Sequence, residues 1–194
     1  MRECPKMARP REFDTDHALD GAMEIFWRKG YKATSLPSLL RAMGVTRGSF
    51  YKAFADKEAI YFQTLERYDT EVVSSTLQML EACEAPQAST CLLPMFTQSG
   101  TADRGCFICN AMVEVAPNNP KVAAKTQEMA DRLKEGIRSV LEKRKVGSST
   151  AHRDELAEVV LHLYFGVQAM GKSGRVHEDW SARLKRLLME EQPS

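Results

Sequence analysis

Residues 34–58 read TSLPSLLRAMGVTRGSFYKAFADKE, and the reading of this stretch decides the fold. Ser35 to Met43 predicts a short helix whose apolar side carries Leu36, Leu39 and Leu40. Pro37 falls in its first turn, where a backbone N–H would have no intrahelical partner. Gly44 permits a tight reversal, and Val45 supplies an apolar plug between the neighbouring helices. Thr46 caps a second short helix, about Arg47 to Ala53, with Phe50 and Phe54 turned inward. So short a helix is unstable alone and must lean on its neighbours. Two short helices joined at a glycine turn have the geometry of a helix-turn-helix.

The outward side of the second helix is Thr46, Arg47, Gly48, Ser49, Tyr51 and Lys52. Small, hydrogen-bonding and cationic groups of this kind suit a helix entering the major groove of a duplex. Glycine weakens a helix interior, and a collision between a side chain and a duplex is one reason to keep Gly48 there. Lys57 begins the next helix, whose first N–H groups also point outward, a natural phosphate contact.

Charge supports this direction. The 194-residue chain has a net charge of +1, but residues 1–57 hold 11 Lys/Arg against 7 Asp/Glu. Within 28–57, Arg28, Lys29, Lys32, Arg41, Arg47, Lys52 and Lys57 face Asp56 alone. Such a block fits a polyanionic partner, or simply a solvated basic face.

The rest of the chain is helical in pattern, and no segment sustains period-2 alternation. Leu19, Met23 and Phe26 predict a first helix, capped by Asp14, Thr15 or Asp16 and ended by Gly30. A long helix follows Asp56, with Tyr61, Leu65, Tyr68, Val72, Val73, Leu77 and Leu80 as its stripe. Residues 84–104 are least legible, with Pro86, Pro94 and the Ser99-Gly100-Thr101 break, and one helix is expected around 89–97. Another is expected from Arg104 to Val115, ended by Pro117. Asn119-Pro120 opens a long helix to about Lys145. Leu156, Val159, Val160, Leu163, Val167 and Met170 mark the next, and a last helix carries Trp180, Leu184, Leu187 and Leu188 after Gly171 and Gly174. The expected fold is all-α with about nine helices.

Several classes find no support. No apolar run reaches the roughly 18 residues of a membrane span, and no secretory leader is visible, so a cytoplasmic protein is expected. Five cysteines, an odd number, fit a disulfide framework poorly. Glu158 and His162 are spaced i, i+4 and not repeated, unlike a di-iron bundle. Neither HExxH nor a Gly-rich phosphate loop occurs, and His17, His152, His162 and His177 are scattered. No catalytic residue, metal site or cofactor is expected.

At this point a resemblance covers about Arg9 to Tyr68. Ala22 to Phe26 with Gly30, Thr34-Ser35, Gly44-Val45-Thr46, Gly48-Ser49-Phe50-Tyr51-Lys52-Ala53-Phe54 and Asp56-Lys57-Glu58 stand in register. Together they resemble the DNA-binding domain of tetracycline-repressor-like (TetR/AcrR) transcription regulators. Met7-Ala-Arg-Pro-Arg is similar to the usual beginning of such chains, which would make Met1–Lys6 an extension. The resemblance implies a helix-turn-helix domain at 9–68, with its motif at about 35–54, and a helical regulatory and dimerisation domain at 69–194. It implies DNA contacts from Ser35, Thr46, Arg47, Gly48, Ser49, Tyr51, Lys52 and Lys57, with Leu39, Val45, Phe50 and Phe54 in the core. It implies a homodimer through about 151–171 and 177–190, where Gly166 would allow close helix approach. Two copies would read a roughly palindromic operator in double-stranded DNA near the nucleoid, as a repressor released by a small-molecule inducer. The alternative is a coactivator or adaptor of the same fold without its own operator.

The segment from Arg104-Gly105-Cys106 to Val115-Ala116-Pro117 resembles a stretch in a subgroup of that family. Cys106 and Cys109 share a helical face. They read as small buried hydrophobes, as a sensor in which the helix N-terminus and Arg104 lower the Cys106 pKa, or as part of a zinc site lacking its second ligand pair. Phe96, Phe107, Met112, Tyr164 and Phe165 are candidate pocket residues or plain core. Cys106, Cys109, Phe107 and Tyr164 form the candidate ligand or sensor set.

Overall fold

Local caps and stops divide the chain into helices, and the computed structural model describes residues 14–97, 104–172 and 179–189. Helix α1 spans Thr15–Lys29, with the Asp14 carboxylate accepting from the N–H groups of Asp16 and His17. Helices α2 (Leu36–Met43) and α3 (Arg47–Ala53) are capped by Ser35 and Thr46. Gly44 joins them at φ +66°, a left-handed conformation that carries a Cβ only under strain. Gly21 is required for another reason: a Cβ there would lie 2.1 Å from the Ala42 carbonyl oxygen, so α1 and α2 touch through backbone. Asp56 caps α4 (Lys57–Tyr68). Phe26, Leu39, Met43, Phe50, Phe54, Tyr61 and Leu65 bury between these four helices. The Tyr61 ring meets Phe26 edge-on at 5.1 Å.

The expected long helix after Asp56 is present with one correction. Residues Asp69–Val73 widen into a π-helical turn before α5 (Ser74–Ala82) continues the rod. Asp69, which opens that turn, is buried, and its carboxylate accepts from Lys125 Nζ at 2.7 Å and from Arg132. Removing either cation would leave a buried charge less than fully paired. Helix α6 (Ala88–Thr97) incorporates Pro94. The next helix, α7, spans Phe107–Glu114 and does not begin at Arg104. Gly105 takes φ +67°, and Arg104 is pulled away to Glu24 at 2.5 Å, so helical backbone starts only after Cys106.

A 3-10 turn at Ala116–Asn118 leads into α8 (Pro120–Lys143), which Asn119 caps. Helix α9 (Thr150–Lys172) runs through Gly171, which therefore does not end it. Helix α10 spans Trp180–Leu187. With α4 and α5 counted as one rod, nine α-helical rods are described and no strand occurs among the described residues. The expected all-α fold is the observed one. None of these helices is long and apolar enough to cross a membrane. The Met1–Lys6 and Met7 readings, the Ser99–Thr101 break, Gly174 and His177 lie outside the described residues.

Candidate nucleic-acid interface and the nook behind it

Helix α3 has an apolar inner side and a polar outer one. Phe50 is fully buried and Phe54 nearly so. Leu39 from α2 is buried beside them, and Val45 is half-buried against the same core. This packing supplies the support that a two-turn helix lacks by itself. Thr46, Arg47, Gly48, Tyr51 and Lys52 are exposed, and Ser49 is half-exposed. Tyr51 is 52% exposed with its ring edge-on to Phe50 at 5.3 Å, which removes the core reading for it. Thr46 Oγ1 accepts from the Ser49 N–H at 3.1 Å, and the two hydroxyls are 3.0 Å apart. A Cβ on Gly48 would meet nothing nearer than Thr46 Oγ1 at 4.0 Å, so nothing among the described residues demands glycine there. Ser35 caps α2 by accepting from the Ser38 N–H at 3.3 Å.

Lys57 has partners within the chain. Its ammonium donates to the Tyr31 carbonyl at 2.6 Å and lies 4.2 Å from the centre of the Tyr31 ring. Burial lowers its pKa, which the Glu114 carboxylate partly offsets. The Lys57 side chain thus fastens the turn after α1 and is not held out toward solvent.

That turn is held from the other half of the molecule as well. The Glu114 carboxylate on α7 accepts from the Tyr31 N–H at 2.8 Å and the Lys32 N–H at 2.7 Å. Trp27 Nε1 donates to the Gly105 carbonyl at 2.8 Å, and the Arg104 guanidinium lies 4.2 Å from the Trp27 ring centre. Arg104 also pairs with Glu24. Burial opposes ionisation of Glu24, but Arg28 and Arg104 outweigh it and hold its carboxyl below the usual range. The residues on both sides of Cys106 therefore grip α1. Sequence reading missed Glu114, although a lone carboxylate in an otherwise uncharged helix was a signal.

Cys106 is 2% exposed. Its sulfur lies 3.9 Å from the Tyr68 hydroxyl, and Tyr164 packs against the same thiol. Of the three readings, this burial fits the small buried hydrophobe and not the sensor with a lowered pKa. Burial pushes the thiol up to about 11, although the N–H groups of Cys109 and Ile108 at the start of α7 do favour the thiolate. Desolvation outweighs the helix terminus. Cys109 is half-buried, and its pKa is raised by burial against the pull of Lys172. Phe107 is buried, stacking on Trp27 at 6.1 Å and meeting Tyr68 at 5.5 Å. Phe96 is buried, while Met112, Tyr164 and Phe165 are partly so. Trp27, Tyr68, Gly105 and Tyr164 help line an enclosed cavity of about 20 Å³, room for little more than one water. A larger open groove of about 870 Å³ lies between α5 and α8, and none of the five candidate pocket residues lines it. No group of three or more His, Cys, Asp or Glu able to hold a metal ion occurs among the described residues.

One further correction concerns the cysteines. Cys83 and Cys91, not singled out in the sequence, are joined in a disulfide across the α5–α6 connection.

A short helix presenting a polar, cationic side from a three-helix support is the arrangement of a helix-turn-helix. Comparison with known proteins narrows the class. Residues 18–64 match the family model of bacterial regulatory proteins, tetR family. It is 33% identical over 130 residues to the HTH-type transcriptional repressor ComR of Escherichia coli K12, covering 62% of this chain and 61% of ComR. It is 28% identical over 138 residues to the HTH-type transcriptional regulator YezE of Bacillus subtilis 168, covering 68% of this chain and 70% of YezE. Among solved structures, a cysteine mutant of the TetR family regulator CifR, complexed with 26 bp double-strand operator DNA, superposes with a TM-score of 0.79. The two are 25% identical, over 94% of this chain and 99% of that one.

Proposed function

We propose that this chain is a transcriptional repressor that binds a palindromic operator as a homodimer and is released by a small molecule. The observation that carries the reading is the outer side of α3, where Arg47, Gly48, Tyr51 and Lys52 stand exposed over a buried Phe50. The DNA contacts are assigned to Ser35, Thr46, Arg47, Gly48, Ser49, Tyr51, Lys52 and Lys57, the last only after it leaves the Tyr31 carbonyl. The reading head is taken as 9–68 and the regulatory half as 69–194. The operator complex of CifR and the repressor name of ComR support this direction.

Dimerisation is assigned to α9 and α10. Glu155, Val159, His162, Gly166 and Ala169 are exposed at steps of four and three along α9, the spacing of a helix seam. Beyond its own helix backbone, no atom of the described residues lies within 4 Å of a Cβ built on Gly166, which leaves room for a partner helix. Action on a bacterial chromosome would place the protein in the cytoplasm, at the nucleoid.

Release is assigned to the nook around Cys106, Cys109, Phe107 and Tyr164. A ligand or an adduct there must part the aromatic rings, because the existing cavity holds so little. Parting them strains Gly105 and Arg104, which grip Trp27 and Glu24 of α1. A ligand with unequal affinity for the gripped and released states would shift their populations.

The test is selection of bound fragments from random duplex DNA, followed by titration of variants. Arg47→Ala should lose about tenfold in affinity and relax the preference at one base position. Lys52→Ala should weaken all sequences alike and reduce the salt slope by about one. Failure to enrich any sequence, or variants that titrate like the parent, would overturn the assignment.

A further inference from the structure

We propose that Cys83 and Cys91 form a reversible dithiol–disulfide site, separate from the Cys106 nook, that peroxides oxidise and that clamps the start of α6 to the end of α5. Cys83 caps the C-terminus of α5, and Cys91 lies in the first turn of α6. Eight positions apart in sequence, they stand 5.6 Å apart at Cα and are bonded. In a cell that keeps thiols reduced, a disulfide is more often a redox device than a staple.

Arg144 makes the pair reversible without loss of geometry. Its Nε donates to the Ala85 carbonyl and its Nη2 to the Cys83 carbonyl, each at 2.6 Å. These bonds hold the connecting loop whether or not the sulfurs are joined, so reduced thiols stay neighbours. Nη2 also lies 3.9 Å from Cys91 Sγ, where a fixed positive charge favours a thiolate.

Burial assigns the two roles. Cys83 is half-buried and reachable, whereas Cys91 is 2% exposed. The Cys83 sulfur attacks the O–O bond of a peroxide ROOH, giving a sulfenic acid and ROH. The Cys91 thiolate then attacks the Cys83 sulfur, forms the S–S bond and expels hydroxide, which takes up the displaced proton as water. Two thiols and one peroxide thus become one disulfide, one ROH and one water. The two electrons pass from the sulfurs to the peroxide. A monothiol pool reverses the step by exchange through a mixed disulfide.

The clamp acts on an element that reaches the rest of the regulatory half. From α6, Phe96 stacks on Trp180 of α10 at 5.0 Å and meets Tyr164 of α9 edge-on at 6.2 Å. Oxidation therefore fixes the helix lying against both helices assigned above to the dimer. Any effect on DNA rests on the proposed function, but the chemistry and the clamp do not.

The experiment uses the full chain, reduced with a monothiol and then treated with stoichiometric hydrogen peroxide. Differential alkylation and peptide mapping locate the cross-link, and hydrogen exchange follows residues 88–97. The expected result is a Cys83–Cys91 cross-link that a monothiol removes, with exchange across 88–97 slowed about tenfold on oxidation. Cys83→Ser and Cys91→Ser should each abolish the slowing while the chain stays folded by circular dichroism. A cross-link elsewhere, resistance to monothiol, or equal exchange in both states would overturn the proposal. Affinity for the selected DNA fragments is measured in parallel. A clamp without any DNA binding would sink the repressor reading and leave this site standing.

Discussion

The outer side of α3 and the nook around Cys106 are built on opposite plans. The first is a two-turn helix with polar groups turned to solvent and one aromatic anchor beneath. The second is a thiol enclosed by Tyr68, Tyr164 and Phe107, with almost no free volume. A surface that must match a long polyanion needs donors and cations ready in place. The release proposed for the nook would draw on its closure, because opening it has structural consequences. The difference teaches where the molecule can change. The closed nook is tied through Gly105, Arg104 and Glu114 to α1 and the turn after it, and α1 packs on α2 and α4.

The sharpest way to break this comparison is to titrate the nook. Cys106 has an ordinary pKa near 9 in the unfolded chain and about 11 in the folded one. A group whose pKa is raised by folding stabilises the fold fully below the unfolded value, and that contribution is lost as pH rises through the folded one. Two pH units correspond to about 3 kcal/mol at most. Chemical unfolding of the parent should therefore lose stability between pH 9 and 11 more steeply than unfolding of Cys106→Ala. Equal slopes would mean that the thiol is not enclosed as described.

The attachment between the two regions predicts a smaller effect. Glu114→Ala leaves the N–H groups of Tyr31 and Lys32 without their carboxylate in a partly solvated turn. The expected cost is about 1–2 kcal/mol in urea unfolding. DNA affinity should fall with it, because Lys57 and the start of α2 depend on that turn. Glu114→Gln retains one acceptor oxygen and should recover part of both. If only stability fell, α7 would be a prop and not a link between the halves.

The two regions also differ in how legible they were. Helices α1, α2 and α3, the Thr46 cap and the buried Phe50 are readable because each depends on neighbours within a few residues, whereas Asp14 is one of three cap candidates and the Ser35 cap is not read. The exposure of Tyr51 followed from the same periodicity. The π turn at Asp69–Val73 was not readable. Asp69 is held there by Lys125 and Arg132, 56 and 63 residues away, and no local pattern announces them. The same holds for Glu114, which meets Tyr31 and Lys32 across more than 80 residues. For Cys106 the sequence leaves open a packed thiol and a sensor with a lowered pKa, and burial favours the first. Sequence shows the helix terminus but not the two tyrosines whose packing removes water from the sulfur. The bond of Lys57 to the Tyr31 carbonyl is likewise invisible in the chain, because it depends on the fold of that turn.

The smallest expected effect isolates the reading face from everything behind it. Gly48 sits inside α3 with open space around a built Cβ and no left-handed backbone. Alanine at such a site favours the helix, by about 0.5–1 kcal/mol. Gly48→Ala should therefore raise the unfolding midpoint slightly and leave the response of the nook to alkylation unchanged. On DNA the sign reverses if α3 seats deeply in a groove, because the added methyl then meets a base or phosphate where the free chain has only solvent. A variant that is more stable and binds the selected fragments more weakly would show that this glycine is kept for the duplex and not for the fold. A variant that is more stable and binds equally well would mean that α3 approaches DNA by another side, and the contacts assigned to Arg47 and Lys52 would have to move with it.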